Sequence, residues 1–447
     1  MLLPIYDALS SYMERRRPFS LDDYAAEREA VREIIEAVRR RGDAAVKEYT
    51  ARFDGAVLDD LRVSEAEFKA AEKAVEPLLL EALRKAKENI EKFHRRQLRA
   101  SWWESAPGIL VGQRFRPLHS TGAYVPGGTA AYPSSVLMTV LPARVAGVKE
   151  IYLCTPPGAD GKVHPLTLLA AREAGATAVF KAGGAQAIAA LAWGTETIPA
   201  VSKIVGPGNI YVTLAKRELY GRVGIDLLAG PSEIAVVADA QANAAYIAAD
   251  LLSQAEHDIL ARPLLITTSA ELLRRVEEEL ERQLQELPRR EIAARALQEQ
   301  GAALLVGSLE EAWQAVNELA PEHLELHIAQ PWAHLDSIEN AGAVFIGPWT
   351  PEAAGDYWAG SNHVLPTGGT ARYASPLGVG DFLKNTHFIY YSAAALAEAA
   401  PHIERLARAE GLEGHARAAA MRRHDYETRS GREALHPGDN GGAEADD

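Results

Sequence analysis

Several stretches of this chain carry residue types whose spacing could support one reaction centre. Gln254-Ala-Glu-His257 closes an apolar helical pattern at 248–253. Positions i and i+3 share a helix face, so Gln254 and His257 can point at one centre. An imidazole beside an oxygen donor suits zinc or a similar divalent ion, although a solvated helix end would look the same. Pro321-Glu-His-Leu-Glu-Leu-His327 has a period of two after the proline. That predicts a strand with His323, Glu325 and His327 on one face and Glu322 facing away. If the local twist aims both into a cleft, Glu322 and His323 form a proton-handling pair, with the imidazole as the natural general base near neutrality. A half-exposed strand with polar alternation is the competing reading. The spacing is not H-E-x-x-H, and a strand would not place these groups as a helical metalloprotease does.

Asp356, in Gly355-Asp-Tyr357 with Gly360-Ser-Asn-His363 close behind, is a metal ligand or simply a turn residue. Glu410-Gly-Leu-Glu-Gly-His415 interrupts a helical pattern with two glycines and leaves its histidine exposed. Cys154 ends the run Ile-Tyr-Leu-Cys and reads as a small buried hydrophobe. A nucleotide is signalled differently. Neither G-x-G-x-x-G nor G-x-x-x-x-G-K-[ST] occurs. Three glycine-rich turns do: Tyr124-Val-Pro-Gly-Gly-Thr129, Lys181-Ala-Gly-Gly-Ala-Gln186 and Gly206-Pro-Gly-Asn209. Bare amides at a helix start can hold a pyrophosphate or a carboxylate. Each turn alone fits ordinary tight packing equally well; three in succession strengthen the case for a nucleotide crevice.

The elements that position these groups follow from pattern and punctuation. The first hundred residues read as helical. Ser20 with Asp23 resembles a cap, and Arg39-Arg40-Arg41 before Gly42 forms an expected helix ending. Ser64 and Glu67 form a capping box, and Pro77 kinks or breaks the charged amphipathic stretch that runs to about Arg96. From about residue 120, short β-rich runs alternate with alanine-rich helical segments. Strands are expected at 150–155, 177–181, 203–205, 234–238, 263–267, 303–306, 324–328 and 343–346. That alternation is the signature of βαβ units and parallel sheets. So many strands overfill one open sheet, which predicts two α/β domains facing each other across a ligand crevice. A helical segment is expected at about 393–423, and a disordered tail from Gly431 onward.

Composition narrows the class. The 447 residues are 47% hydrophobic and 24% charged, an ordinary balance for a globular chain of several domains. Lys and Arg total 47 against 61 acids, a net charge of −14, which disfavours a phosphate backbone as partner. One cysteine allows no internal disulfide. Pro4 and Arg15-Arg16-Arg17 leave no signal-like apolar run, and no stretch approaches about 18 uncharged apolar residues. A soluble cytoplasmic protein, bound to neither nucleic acid nor membrane, is the expectation.

Taken in order, seven motifs resemble the histidinol dehydrogenase family over roughly residues 20–425. They are Gly122-Ala-Tyr-Val-Pro-Gly-Gly128, Gly206-Pro-Gly-Asn209, Ala229-Gly-Pro-Ser-Glu233, Ser253-Gln-Ala-Glu-His257, Ala320-Pro-Glu-His-Leu324, Ala354-Gly-Asp-Tyr357 with Asn362-His-Val-Leu-Pro366, and Glu410-Gly-Leu-Glu-Gly-His415. The resemblance implies oxidation of L-histidinol to L-histidine through L-histidinaldehyde with two NAD, the last steps of histidine biosynthesis. It implies one zinc ion per subunit held by Gln254, His257, Asp356 and His415. Substrate would touch Ser232, Gln254, His257, His323, Asp356, Glu410 and His415. NAD would lie against Tyr124, Gln186 and Asn209, and Glu322 and His323 would be catalytic. It also implies a homodimer with shared active sites, in which Glu410 and His415 complete the other chain's pocket.

The fold expected with it is two incomplete Rossmann-like α/β domains with parallel sheets facing a cleft, plus small helical terminal segments. Its divisions are an N-terminal helical segment at 1–21, a first α/β domain at 22–123 and 232–377, and an NAD-binding second domain at 124–231. A dimer-swapped helical arm at 378–430 and the acidic tail at 431–447 follow. Three other readings stay open. A related zinc- and NAD-dependent dehydrogenase of another alcohol would share the chemistry, but Ser232 and Glu410 match the family's substrate contacts. A zinc hydrolase using Glu322 to activate water would leave the glycine turns without purpose. The last is a non-catalytic metal-binding protein.

Overall fold

The computed structural model describes residues 2–16, 19–127 and 131–435. In chain order the elements begin with β1 (Ile5–Tyr6), α1 (Leu9–Arg15), α2 (Ala25–Arg41), α3 (Asp43–Asp54), α4 (Glu65–Ala74) and α5 (Pro77–Arg95). Next come β2 (Trp102–Ala106), β3 (Ile109–Pro117), β4 (Ser120–Tyr124), α6 (Pro133–Ala146), β5 (Glu150–Thr155), α7 (Pro165–Ala174) and β6 (Ala178–Lys181). They continue as α8 (Gly184–Trp193), β7 (Lys203–Val205), α9 (Ile210–Leu219), β8 (Gly224–Ile225), β9 (Glu233–Ala238), α10 (Ala244–Ala255) and β10 (Arg262–Thr267). Then follow α11 (Ala270–Leu284), α12 (Arg290–Glu299), β11 (Ala302–Leu305), α13 (Leu309–Leu319), β12 (His323–His327), β13 (Ala343–Ile346) and α14 (Glu352–Tyr357). The chain closes with β14 (Leu383–Tyr391), α15 (Ala393–Ala409) and α16 (Glu413–Leu435).

The chain divides into two compact units, Met1–Leu98 with Pro117–Leu383, and Arg99–Arg116 with Lys384–Asp447. The first unit holds two sheets whose paired strands run parallel. One has the order β6-β5-β4-β7-β8, the other β1-β11-β10-β9-β12-β13. Both are sandwiched between helices, with apolar cores on each face. That explains why β5, β6 and β9 read as nearly continuous runs of Ile, Val, Leu and Ala: a parallel strand covered on both faces has no solvent side to alternate toward. Among the described residues, no helix is long and apolar enough to cross a membrane.

Local punctuation acts as the residue types require. Arg39, Arg40 and Arg41 occupy the last turn of α2, where cations complement the helix dipole, and Gly42 caps it at φ 54°. Ser64 and Glu67 form a reciprocal capping box at α4. Pro77 is neither kink nor interior break; it opens α5 in the first turn, where its missing N–H costs nothing. Ser20 caps only a single 3-10 turn, accepting from the Asp22 N–H.

Three expectations need correction. The N-terminal segment is not purely helical, because β1 adds a parallel edge strand to the six-stranded sheet, and two residues are too few to show a period. The C-terminal arm is not purely helical either. Leu383–Tyr391 is a strand in a sheet of order β14-β3-β2, in which β2 and β3 run antiparallel. Its Thr-His-Phe-Ile-Tyr-Tyr run is aromatic and β-branched, a composition that favours pleated backbone. Finally, α16 continues to Leu435, past the expected start of the tail at Gly431; the rest of that tail lies outside the described residues. In the second unit Trp102, Trp103, Phe388, Ile389, Tyr390 and Tyr391 are all exposed.

Gly206 ties the end of β7 to the strand beside it. Its φ is +113°, and a Cβ there would meet the Tyr124 carbonyl oxygen at 2.1 Å, a backbone atom that cannot rotate aside. Gly206→Ala is therefore expected to destabilise the first unit by at least the roughly 1–3 kcal/mol of such backbone strain, read as a lowered melting temperature. An unchanged melting temperature would contradict this packing.

Candidate active site

The start of β12 is set by the turn that leads into it. Ala320 ends α13 in the left-handed region at φ 48°, and Pro321 prevents the helix from continuing. Two residues later the chain enters β12, between β9 and β13, with His323 opposite Ile234 and Ala343. Every residue of β12 is buried, so the half-exposed strand is excluded. Glu322 does not face away. It sits before the strand, outside the alternation, and its carboxylate accepts the Glu233 N–H at 2.9 Å. The next side chain binds the other end of the same residue: His323 Nδ1 lies 3.0 Å from the Glu233 carbonyl oxygen. A carbonyl can only accept, so Nδ1 carries the proton and Nε2 keeps its lone pair. Nε2 has no hydrogen-bond partner among the described residues. Burial pushes the imidazole down to about 4 against the opposing pull of Asp356, so the ring is neutral near pH 7. Burial pushes the Glu322 carboxyl well above the usual range.

Helix α10 carries Gln254 and, just past its end, His257, which is near enough to His323 to influence its protonation. The Gln254 side chain is fully buried, and its Nε2 lies 3.0 Å from His257 Nδ1, as the i, i+3 spacing predicts. The Gln254 Oε1 then has no partner among the described residues. A buried orphan carbonyl oxygen is costly unless something positive fills the space in front of it. Asp356 supplies a carboxylate nearby, its Oδ1 4.0 Å from His323 Nε2 and 3.9 Å from His363 Nδ1. Asp356 is not in a turn; it lies in α14, one helical turn after Glu352. An amide oxygen, an imidazole and a carboxylate beside a neutral histidine form a mixed oxygen–nitrogen donor set that fits a divalent ion.

The glycine turns gather elsewhere in the same unit. Tyr124, Gln186 and Asn209 line one cavity of about 590 Å³, together with Gly127, Pro156, Gly184 and Asp54. It opens beyond the carboxyl ends of β4, β6 and β7, where the strand order of the five-stranded sheet reverses between β4 and β7. Ligands of open α/β sheets favour that place. The amides at the start of α8 have no cap from an N-cap side chain, although that of Gly184 donates to the Tyr124 hydroxyl at 3.1 Å. At α9 they are taken: Asn209 accepts from the Tyr211 and Val212 N–H groups. Gly128 and Thr129 lie outside the described residues. The Glu322, His323 and Glu233 contacts, by contrast, gather at the amino ends of β9 and β12.

Two expected site residues belong to the second unit. Glu410 ends α15, Gly411 follows at φ +76°, and His415 lies in the first turn of α16; both Glu410 and His415 are exposed. Ser232 immediately precedes Glu233, and its carbonyl accepts the Arg262 N–H at 2.9 Å. Cys154 is wholly buried in the five-stranded sheet, and burial pushes its thiol far up, so it is inert. Sequence reasoning missed Glu352, whose buried carboxylate lies 3.7 Å from His323 Nε2, and Glu233, whose peptide holds Glu322 and His323. Glu233 ends a quoted motif, but nothing in spacing reveals that its backbone is the functional part.

A sequence model of the histidinol dehydrogenase family matches residues 18–423. The chain is 60% identical to the histidinol dehydrogenase of Moorella thermoacetica over 395 residues, 88% of this chain and 93% of that protein. Against the histidinol dehydrogenase of Heliobacterium mobile it is 52% identical over 422 residues, 94% of this chain and 98% of that one. The crystal structure of histidinol dehydrogenase from Elizabethkingia anophelis superposes with a TM-score of 0.88 at 39% identity, covering 94% and 98% of the two chains.

Asp54 on the cavity wall gives a pH test. Burial raises its carboxyl from 3.8 to about 6. A raised carboxyl penalises the folded state once ionised; the penalty is absent below the unfolded value, grows through pH 6 and is complete above it. Asp54→Asn removes the charge, so its melting temperature should exceed the parent's at pH 8 and equal it near pH 4. A constant difference across that range would contradict the burial argument.

Proposed function

This chain belongs to the histidinol dehydrogenase family, and from that premise we propose that it oxidises L-histidinol to L-histidine through L-histidinaldehyde, reducing two NAD. The observation that carries the reading is the orphan oxygen of buried Gln254, whose amide meets His257, together with Asp356 at 4.0 Å from a neutral His323. In this reading zinc is held by Gln254, His257, Asp356 and His415, and its chemistry is Lewis acidity plus anchorage of the substrate's imidazole and amine. Nicotinamide, the hydride acceptor for both oxidations, is expected in the cavity lined by Tyr124, Gln186 and Asn209.

The chain's own residues perform the proton chemistry. His323 Nε2 takes the alcohol proton while Nδ1 stays tethered to the Glu233 carbonyl, which fixes both tautomer and ring plane. Glu322, whose buried carboxylate is a stronger base than an exposed one, accepts a proton from the water that attacks the aldehyde. The hydrate then loses its second proton by the same His323 route. Cys154, buried and inert, is no candidate for a covalent thiohemiacetal.

Ser232, Glu410 and His415 complete the proposed substrate contacts. We assign Glu410 and His415 to the site of a second copy in a homodimer. The exposed aromatic sheet of the second unit, with Trp102, Trp103, Ile389 and Tyr390, supports association, because a thin sheet with such surface needs cover. Cytoplasmic location accords with the biosynthetic role and the lone buried thiol.

Purified protein supplied with zinc is expected to form NADH from histidinol, to lose that activity on chelation and to regain it on zinc return. Metal-replete protein silent toward histidinol would overturn the reading, whereas turnover without nicotinamide would favour a hydrolase. His323→Asn should cut kcat by about 10²-fold or more with zinc content intact; unchanged turnover would discard His323 as base.

A further inference from the structure

Behind the catalytic strand lies a second group of ionisable side chains that the proposed reaction does not use. Asp250, Glu325 and His327 are all buried, and their ligand-type atoms lie within 4.8 Å of one another. His327 Nε2 is 3.2 Å from Glu325 Oε2 and 3.6 Å from Asp250 Oδ2. The other Glu325 oxygen accepts the Glu352 N–H at 2.8 Å.

We propose that Asp250, Glu325 and His327 are positioning residues that lock three elements in register, and so set the geometry of the metal-binding side chains. The inference rests on the reading of Gln254, His257 and Asp356 as the metal's ligands. Asp250 lies on α10 one helical turn before Gln254. Glu325 and His327 follow His323 along β12. Glu352 opens α14 one turn before Asp356. The single carboxylate of Glu325 therefore touches a residue of each helix that carries a ligand, and it stands on the strand that carries the base.

The cluster's proton inventory makes the tie directional. A carboxyl oxygen of Asp250 and one of Glu325 lie within 4.8 Å of each other, and burial pushes both carboxyls up, which favours one proton held between them. With Asp250 protonated and donating, and His327 Nε2–H donating, Glu325 becomes the sole acceptor for three donors from three elements. Buried charge held by three donors tolerates little displacement, because losing any one of them leaves an unpaired group in a dry interior. Groups beyond the ligands that orient them commonly change metal affinity or activity by about 10–100-fold when removed.

The test compares zinc affinity, by competition with a fluorescent chelator, with melting temperature, NADH affinity and kcat. Glu325→Ala is expected to bind zinc at least about 10-fold more weakly and to lose kcat in proportion, while NADH affinity stays at the parent's value. Should that variant fail to fold, Glu325→Asp, too short to reach the Glu352 N–H, carries the same expectation. Asp250→Asn, whose amide can keep the hydrogen bond, should lose less zinc affinity than Asp250→Ala. A variant that melts lower yet binds zinc like the parent would reduce the cluster to packing and overturn the proposal. Parent protein that binds no zinc would instead sink the metal reading beneath it.

Discussion

Strand β12 is covered on both faces and hydrogen-bonded along both edges, so its polar side chains must find every partner inside the protein. An unpaired buried donor or acceptor costs about 1–3 kcal/mol, and His323, Glu325 and His327 could each incur that cost. The partners they find come from neighbouring elements, the Glu233 residue of β9, Asp250 of α10 and the Glu352 N–H of α14, while His323 Nε2 and His327 Nδ1 have none among the described residues. The parallel register of β9 and β12 decides which partners are available. A shift of one residue would take His323 away from the Glu233 carbonyl and turn the polar set toward the opposite core. The same dehydration that makes these pairs obligatory keeps His323 neutral and raises the Glu322 carboxyl.

The two sheets of the first unit play different parts. The five-stranded sheet presents its glycine turns beyond the carboxyl ends of the strands, where backbone amides and close approach favour a nucleotide. The six-stranded sheet uses its amino edge, where the ends of β9 and β12 meet the last turn of α10. An antiparallel helix over a parallel strand brings its C-terminal turn to that edge, so Gln254 and His257 arrive beside His323 by topology alone. One fold thus keeps the proposed nucleotide cavity apart from the proposed metal-binding side chains.

Much of this was legible in the chain. The strands at 150–155, 203–205 and 343–346 have the bounds read from pattern, and most others shift by a residue at one or both ends. Buried parallel strands announce themselves as apolar runs, and the i, i+3 spacing of Gln254 and His257 needs no tertiary knowledge. What was not legible depends on distant pairing. The sheet of β2, β3 and β14 joins segments far apart in sequence, and its exposed strands lack an apolar alternation to betray them. Pattern alone left Asp356 open between a ligand and a turn residue because α14 is short and surrounded by Gly and Pro. Asp250 and Glu352 gave no local sign at all, and Glu233 none beyond its place in a motif, since each matters only through a partner far along the chain.

In the proposed reading Gln254, His257 and Asp356 share one divalent ion. Anomalous diffraction at the zinc edge, on crystals of zinc-loaded protein, addresses it most directly. One peak per chain is predicted within about 2.0–2.2 Å of the Gln254 Oε1, a His257 nitrogen and an Asp356 oxygen, with His415 of a second copy as the fourth ligand. A peak seated instead among Asp250, Glu325 and His327, or one that neither Gln254 nor Asp356 touches, would contradict the account.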